Sequence, residues 1–223
     1  MKLSDNTIDI LKNFSGINPN MVFKPGSTIS TIAEAKNIMA SATISETIPQ
    51  SFGVYDLNEF LNTLTLVENA EVEFGKSAMT IADITTSVEY FYSSPDVLTS
   101  PTKTVTMPKA DVTVILTADT INRVKKAASV LGHPTLEISG KKGVIILKVL
   151  DIKNTTANTY SITIDKTNKC EETFSFVIVI GNLKILPGDY TVSISSKLIS
   201  HFKNNSTPVE YFIALEKTST FGS

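Results

Sequence analysis

Three basic residues in the run 117–131 stand where they could meet a phosphate backbone. Ile121, Val124, Ala128 and Leu131 recur every three or four residues, the period of a helix with one apolar face. Arg123 and Lys126 fall on the opposite face with Asn122 and Ser129, and Lys125 flanks the apolar seam. Lys12 and Asn13 face outward on a shorter predicted helix over 4–14, where Asp5 and Asp9 dilute the charge. Such cations suit contact with phosphates without reading bases. The same residues also read as an ordinary solvated face.

Other chemistry finds little support. His133 and His201 lie far apart, and His133 follows Gly132 as turn residues often follow a helix-ending glycine. One Cys and two His make no convincing zinc set. Cys170, between Lys169 and Glu171 in a predicted loop, reads as an incidental thiol. There is no Gly-rich phosphate loop and no Gly-x-Ser-x-Gly elbow. Glu171-Glu172 and Glu71-x-Glu73 read as turn or strand-surface charges. A hydrolase built on such a pair would need a converging His, Cys or metal cluster. The expectation is a protein that is not an enzyme and uses no cofactor or metal.

Composition narrows the class. A chain of 223 residues, 42% hydrophobic and 8% aromatic, can bury a good core in one or two domains. No stretch approaches the roughly 20 apolar residues of a membrane helix. The start, Met1-Lys2-Leu3-Ser4-Asp5, turns polar at once and does not read as a signal peptide. A single Cys excludes an internal disulfide and fits a reducing cytoplasm. A net charge of −2 is not that of a nucleic-acid binder unless basic residues gather on one surface.

The elements that must position these residues come in two similar sets. Leu3, Thr7, Ile8, Leu11 and Lys12 align without gaps on Leu116, Thr120, Ile121, Val124 and Lys125, at an offset of 113. A weaker echo pairs Asp56-Leu57-x-x-Phe60 with Asn182-Leu183-x-x-Leu186 at an offset of 126. Each copy reads as a helix, several strands, a short helix and more strands. Ser4 or Asp5 caps the first helix and Asp56 caps a second over 57–64. Strands are expected at 21–23, 28–33, 38–44, 52–55, 71–74, 79–82 and 87–92. Residues 93–109, with three prolines and no period, have linker composition. A strand at 111–116 and a helix capped by Thr117 and ended by Gly132 follow. Further strands are expected at 135–139, 143–149, 156–164, 173–180, 189–195, 197–202 and 208–216, with a helical turn at 182–186. This is an α+β arrangement of antiparallel sheets with helices on one face. Its domains are 1–93 and 110–223, joined by a connector at 94–109.

Six segments stand out: Met1-Lys2-Leu3-Ser4, Leu11-Lys12-Asn13-Phe14, Val54-Tyr55-Asp56-Leu57-Asn58, Leu64-Thr65-Leu66-Val67, Leu186-Pro187-Gly188-Asp189-Tyr190 and Tyr211-Phe212-Ile213-Ala214-Leu215-Glu216. Together they resemble the sliding clamp of T-even-type tailed bacteriophages. They run in order from the first residue to near the last, with 93–109 and 150–172 less similar. The resemblance implies the processivity-clamp fold: two similar domains per chain and three chains closing head to tail into a ring. Such a ring encircles duplex DNA and tethers the viral polymerase in the host cytoplasm, with a clamp loader and viral transcription factors as further partners.

By this resemblance the inner wall corresponds to 4–14, 56–66, 117–131 and 181–186, and the DNA-facing residues are Lys2, Lys12, Arg123, Lys125, Lys126 and Lys184. Val97, Leu98, Ile213 and Leu215 become candidates for holding a partner's apolar tail, although Ile213 and Leu215 also read as core. The ring would join edge strands near 86–92 of one subunit and 156–164 of the next. A virion structural protein built on the same duplicated unit is the rival reading; it requires no basic inner surface.

Overall fold

The computed structural model describes residues 1–141, 143–164 and 171–222, so the assignment made to Cys170 lies outside the described residues. The chain divides into two compact units, Met1–Thr104 and Val105–Ser223.

The first unit opens with α1 (Asp5–Ser15), followed by β1 (Met21–Phe23), β2 (Gly26–Ile32), β3 (Ile38–Ile48) and β4 (Phe52–Val54). Then come α2 (Leu57–Leu64) and the strands β5 (Glu71–Phe74), β6 (Ala78–Ala82) and β7 (Ser87–Phe91). All pairings are antiparallel: β1 with β4, β2 with β3, and β5 through β6 to β7. The helices pack against one another, and α2 reaches β7 through an edge-on contact of Phe60 with Tyr90 at 5.4 Å. That burial pushes the Tyr90 hydroxyl up to about 12, with Glu59 and Asp56 adding to it.

Residues 93–99 are fastened to this unit. The Ser93 amide donates to Gly53 O at 2.9 Å, and the Thr99 amide donates to Asn20 Oδ1 at 3.0 Å. A Cβ on Gly53 would lie 2.5 Å from Ser93 O and 2.6 Å from Leu98 Cδ1, so glycine is what admits the segment. A 3-10 turn, Pro95–Val97, sits within it.

The second unit begins with β8 (Val112–Leu116) and α3 (Ala118–Leu131). Gly132 takes the left-handed conformation, φ +70°, that ends α3 where expected. The remaining strands are β9 (Thr135–Lys141), β10 (Val144–Leu150), β11 (Tyr160–Ile164), β12 (Phe174–Val179), β13 (Tyr190–Ser195), β14 (Ile199–Asn204), β15 (Val209–Ala214) and β16 (Thr220–Phe221). One antiparallel sheet runs β11-β10-β9-β12-β16, and β8-β13-β14-β15 pair in that order. Strands alternate inward and outward; β10, for example, buries Ile145, Leu147 and Val149. The α+β class of the sequence reading is the fold observed.

Two expectations are corrected. Residues 156–159 do not extend the strand at 160: Asp151 and Asn154 accept nearby amides and fold 151–157 into turns. The expected helical turn at 182–186, mapped to the inner wall as 181–186, is instead a 3-10 turn at Ile180–Asn182 followed by an irregular stretch. Leu183 and Ile185 point inward there, and Lys184 outward. The Leu186 amide donates to the Tyr211 hydroxyl at 3.1 Å, and Leu186 O accepts from the Tyr190 hydroxyl at 2.7 Å. Those hydroxyls take the place of helical partners, and Pro187 disfavours a helical Leu186.

Candidate nucleic-acid interface

Among the described residues, each of the three α-helices is started by a side-chain cap. Ser4 Oγ accepts the Thr7 amide, Asp56 Oδ1 accepts those of Asn58 and Glu59, and Thr117 Oγ1 accepts that of Thr120. Carboxylates reinforce two of these starts. Glu46 accepts from the Ser4 amide and the Thr7 hydroxyl, and Asp189 accepts the Ala118 amide at 2.7 Å. Burial pushes the Glu46 carboxyl up, but the Thr7 and Ser4 hydrogen bonds outweigh it and hold the group below its ordinary value. Sequence reasoning missed Glu46, although its phase with buried Ile44 and Ile48 on β3 was a usable signal.

The apolar faces aim the cations outward. On α3, Ile121, Val124 and Ala128 are buried while Asn122, Arg123, Lys126 and Ser129 are exposed. Arg123 Nε donates to the Tyr160 hydroxyl at 3.2 Å, and its Nη1 lies 3.8 Å from Asp119. The Tyr160 bond, then Asp119, strengthens its hold on the proton. Tyr160 was missed as well, and no local signal could reveal a partner on another element. Lys125 is half-buried at the seam, and that desolvation pushes its amine below the ordinary lysine value.

On α1, Lys12 is exposed and 3.7 Å from Asp9. Lys2 Nζ donates to Asn69 Oδ1 at 3.1 Å. Lys184 is exposed in the irregular stretch after the 3-10 turn. Thus Arg123, Lys125 and Lys126 share one helix, while Lys2 and Lys12 lie at the start and end of the first helical segment.

The four candidates for an apolar partner divide by exposure. Val97 is 72% exposed, while Leu98, Ile213 and Leu215 are 9%, 0% and 6% exposed. The two histidines have separate partners. His133 Nε2 pairs with Asn158 O at 2.7 Å; His201 Nε2 lies 2.8 Å from Glu210 Oε2 and its ring stacks on Phe212. Among the described residues no three His, Cys, Asp or Glu side chains gather in a way that could hold a metal ion. The arrangement offers weak cationic contact on helix surfaces.

Several strands end their sheets, β7 and β11 among them. Among the described residues β7 pairs only with β6, and β11 only with β10. Phe91 on β7 is 65% exposed.

Comparison with known proteins gives the same family from both halves. Residues 3–107 match the DNA polymerase processivity factor family, and 113–217 match the gp45 sliding clamp C-terminal family. The sliding clamp of Vibrio phage KVP40 is 34% identical over 222 residues, covering 97% of this chain and 99% of that one. The sliding clamp of Escherichia phage RB69 is 34% identical over 229 residues, covering 99% of each. In fold, the chain is similar to the proliferating cellular nuclear antigen of Entamoeba histolytica, with a TM-score of 0.71 at 12% identity over 96% of this chain and 97% of that one. No match supports the virion structural reading. Matched from end to end by phage clamps and in both halves by clamp families, the chain belongs to the sliding-clamp family of DNA polymerase processivity factors.

Proposed function

We propose that three copies of this chain close head to tail around duplex DNA and tether a viral DNA polymerase to its template. The observation that carries this reading is the full-length likeness to phage sliding clamps. The edges of β7 and β11, two different strands that each end a sheet, support it, since unlike edges suit a heterologous contact that closes into a ring. In this reading residues 1–93 and 110–223 are the two clamp domains and 94–109 is their connector. A clamp loader opens one contact to admit DNA, and viral transcription factors are further users of the ring. The place of action is the host cytoplasm, and no catalytic step or cofactor is involved.

A ring need not bind tightly, because topology prevents escape. Its phosphate contacts should be few, water-mediated and interchangeable so that sliding stays fast. Lys2, Lys12, Arg123, Lys125, Lys126 and Lys184 are the proposed DNA-facing set. With those six cations assigned to the duplex, the remainder of a chain of net charge −2 is acidic, which disfavours DNA elsewhere on the surface. The polymerase gains processivity by effective concentration: held near the primer end, it rebinds before diffusing away. Val97, Leu98, Ile213 and Leu215 are the proposed contacts for a partner's apolar tail, with exposed Val97 the first to test.

The test is solution mass by light scattering over a concentration series, then retention on circular and linear DNA after loading with the cognate loader. A mass of three chains, with retention lost when the circle is cut, supports the reading. A monomer at every concentration, or equal retention on both DNAs, overturns it.

A further inference from the structure

Strand β11 reaches the rim of its sheet with little to hold it. Among the described residues it pairs only with β10. Tyr160, Ile162 and Ile164 stand opposite Val149, Leu147 and Ile145, so they share the face that β10 buries. Those three β10 residues are buried, yet the three on β11 are only half-buried. The chain leading into the strand adds no support, because 151–157 is a largely exposed series of turns.

Two bonds, one from α3 and one from just beyond its end, fix the entrance to β11. Arg123 Nε donates to the Tyr160 hydroxyl at 3.2 Å. His133 Nε2 donates to Asn158 O at 2.7 Å. His133 is itself held, since Gly132 turns the chain at φ +70° and the His133 amide donates to Ala128 O at 3.1 Å. Helix α3 is in turn seated against β10. The segment is thus tied at Asn158 and at Tyr160, and two points set a direction as well as a position.

Register makes this placement matter. A slip of one residue exchanges the two faces of a strand. On β11 it would put Ser161 and Thr163 where Tyr160, Ile162 and Ile164 now stand. A chain pairing along this edge would then meet different side chains. We propose that Arg123 and His133 are positioning residues for the ring contact: they hold the entrance of β11 so that its edge meets the next chain in one register. Arg123, assigned above to the duplex, thereby has a second role that is exercised before DNA is present. The inference rests on the sliding-clamp reading above.

The experiment measures the trimer's dissociation constant without DNA, by light scattering over a concentration series, with the urea midpoint of each variant checked first. Arg123→Gln and Tyr160→Phe should each weaken one contact by about threefold, as loss of a single hydrogen bond does. Each such loss recurs at every contact of a three-chain ring, so the overall dissociation constant should rise about 30-fold. The double variant should rise no further than either single one, because both remove the same bond. His133→Ala should produce a rise of similar size, and His133→Gln, which keeps an N–H donor, should reverse most of it. The inference is overturned if the Arg123 and Tyr160 effects multiply, if either leaves the constant unaltered, or if His133→Gln dissociates as readily as His133→Ala. A monomer at every concentration of the unmodified protein would instead overturn the clamp reading itself, which separates the two ideas.

Discussion

Ser4 and Thr117 stand 113 positions apart and close the same structure. Each side-chain oxygen accepts the amide three residues on, from Thr7 at 3.3 Å and from Thr120 at 3.2 Å. The paired hydroxyls match too, Ser4 with Thr7 at 3.0 Å and Thr117 with Thr120 at 2.9 Å. The buried faces that follow do not match. Ile121, Val124 and Ala128 fall at this offset on Ile8, Leu11 and Ser15, whereas α1 buries Thr7, Ile10, Leu11 and Phe14. The helices share a start, but their inward faces differ by about one residue, or roughly 100° of rotation.

Loss of either cap should therefore cost a similar amount. Ser4→Ala and Thr117→Ala are each expected to destabilise by about 1 kcal/mol, seen in calorimetry as a melting point lower by roughly 2–4 °C. If both variants melt with the unmodified protein, the shared caps contribute nothing.

Glu46 should give the fold a pH dependence. Its pKa in the folded state lies below the unfolded value, so its stabilisation is present above about pH 4.3 and is lost as pH falls through the folded value. Glu46→Gln should be less stable than the parent at pH 7 by roughly 1–3 kcal/mol, and the gap should close toward pH 3. Urea midpoints across that range test this; a gap independent of pH would refute the linkage.

Phe91, exposed on the free edge of β7, should matter to assembly more than to folding. Phe91→Asp is expected to shift the light-scattering mass from three chains toward one while changing monomer stability by less than about 0.5 kcal/mol. A trimer that persists would remove β7 from the contact.

Gly53 admits Ser93 O and Leu98 at distances no Cβ tolerates. Gly53→Ala should destabilise by about 1–3 kcal/mol and increase proteolysis at 93–99, measured by mass spectrometry of limited digests. Unchanged digestion would mean the segment moves aside at no cost.

The helices and their limits were legible in the chain itself, because the relevant signals act within a few residues. Ser4, Asp56 and Thr117 bond amides two or three positions on. Gly132 ends α3 through its own φ. Apolar spacing placed Arg123 and Lys126 outward before any packing was known. The segment 182–186 defeated the same reasoning. Leu183 and Ile185 are apolar enough for a helix, but the segment does not continue as one, because Tyr190 and Tyr211 capture the Leu186 backbone.

By itself, then, the sequence determined two capped units, their outward cations and the family they resemble. Tertiary structure decided what those residues meet: Arg123 on Tyr160, 37 positions away, and Ser4 on Glu46, 42 positions away. It also decided that β7 and β11 end their sheets. The reason is one of range. Caps and helical periods are local and written in neighbouring residues, whereas hydrogen bonds across the fold and free strand edges exist only once the chain has reversed and packed.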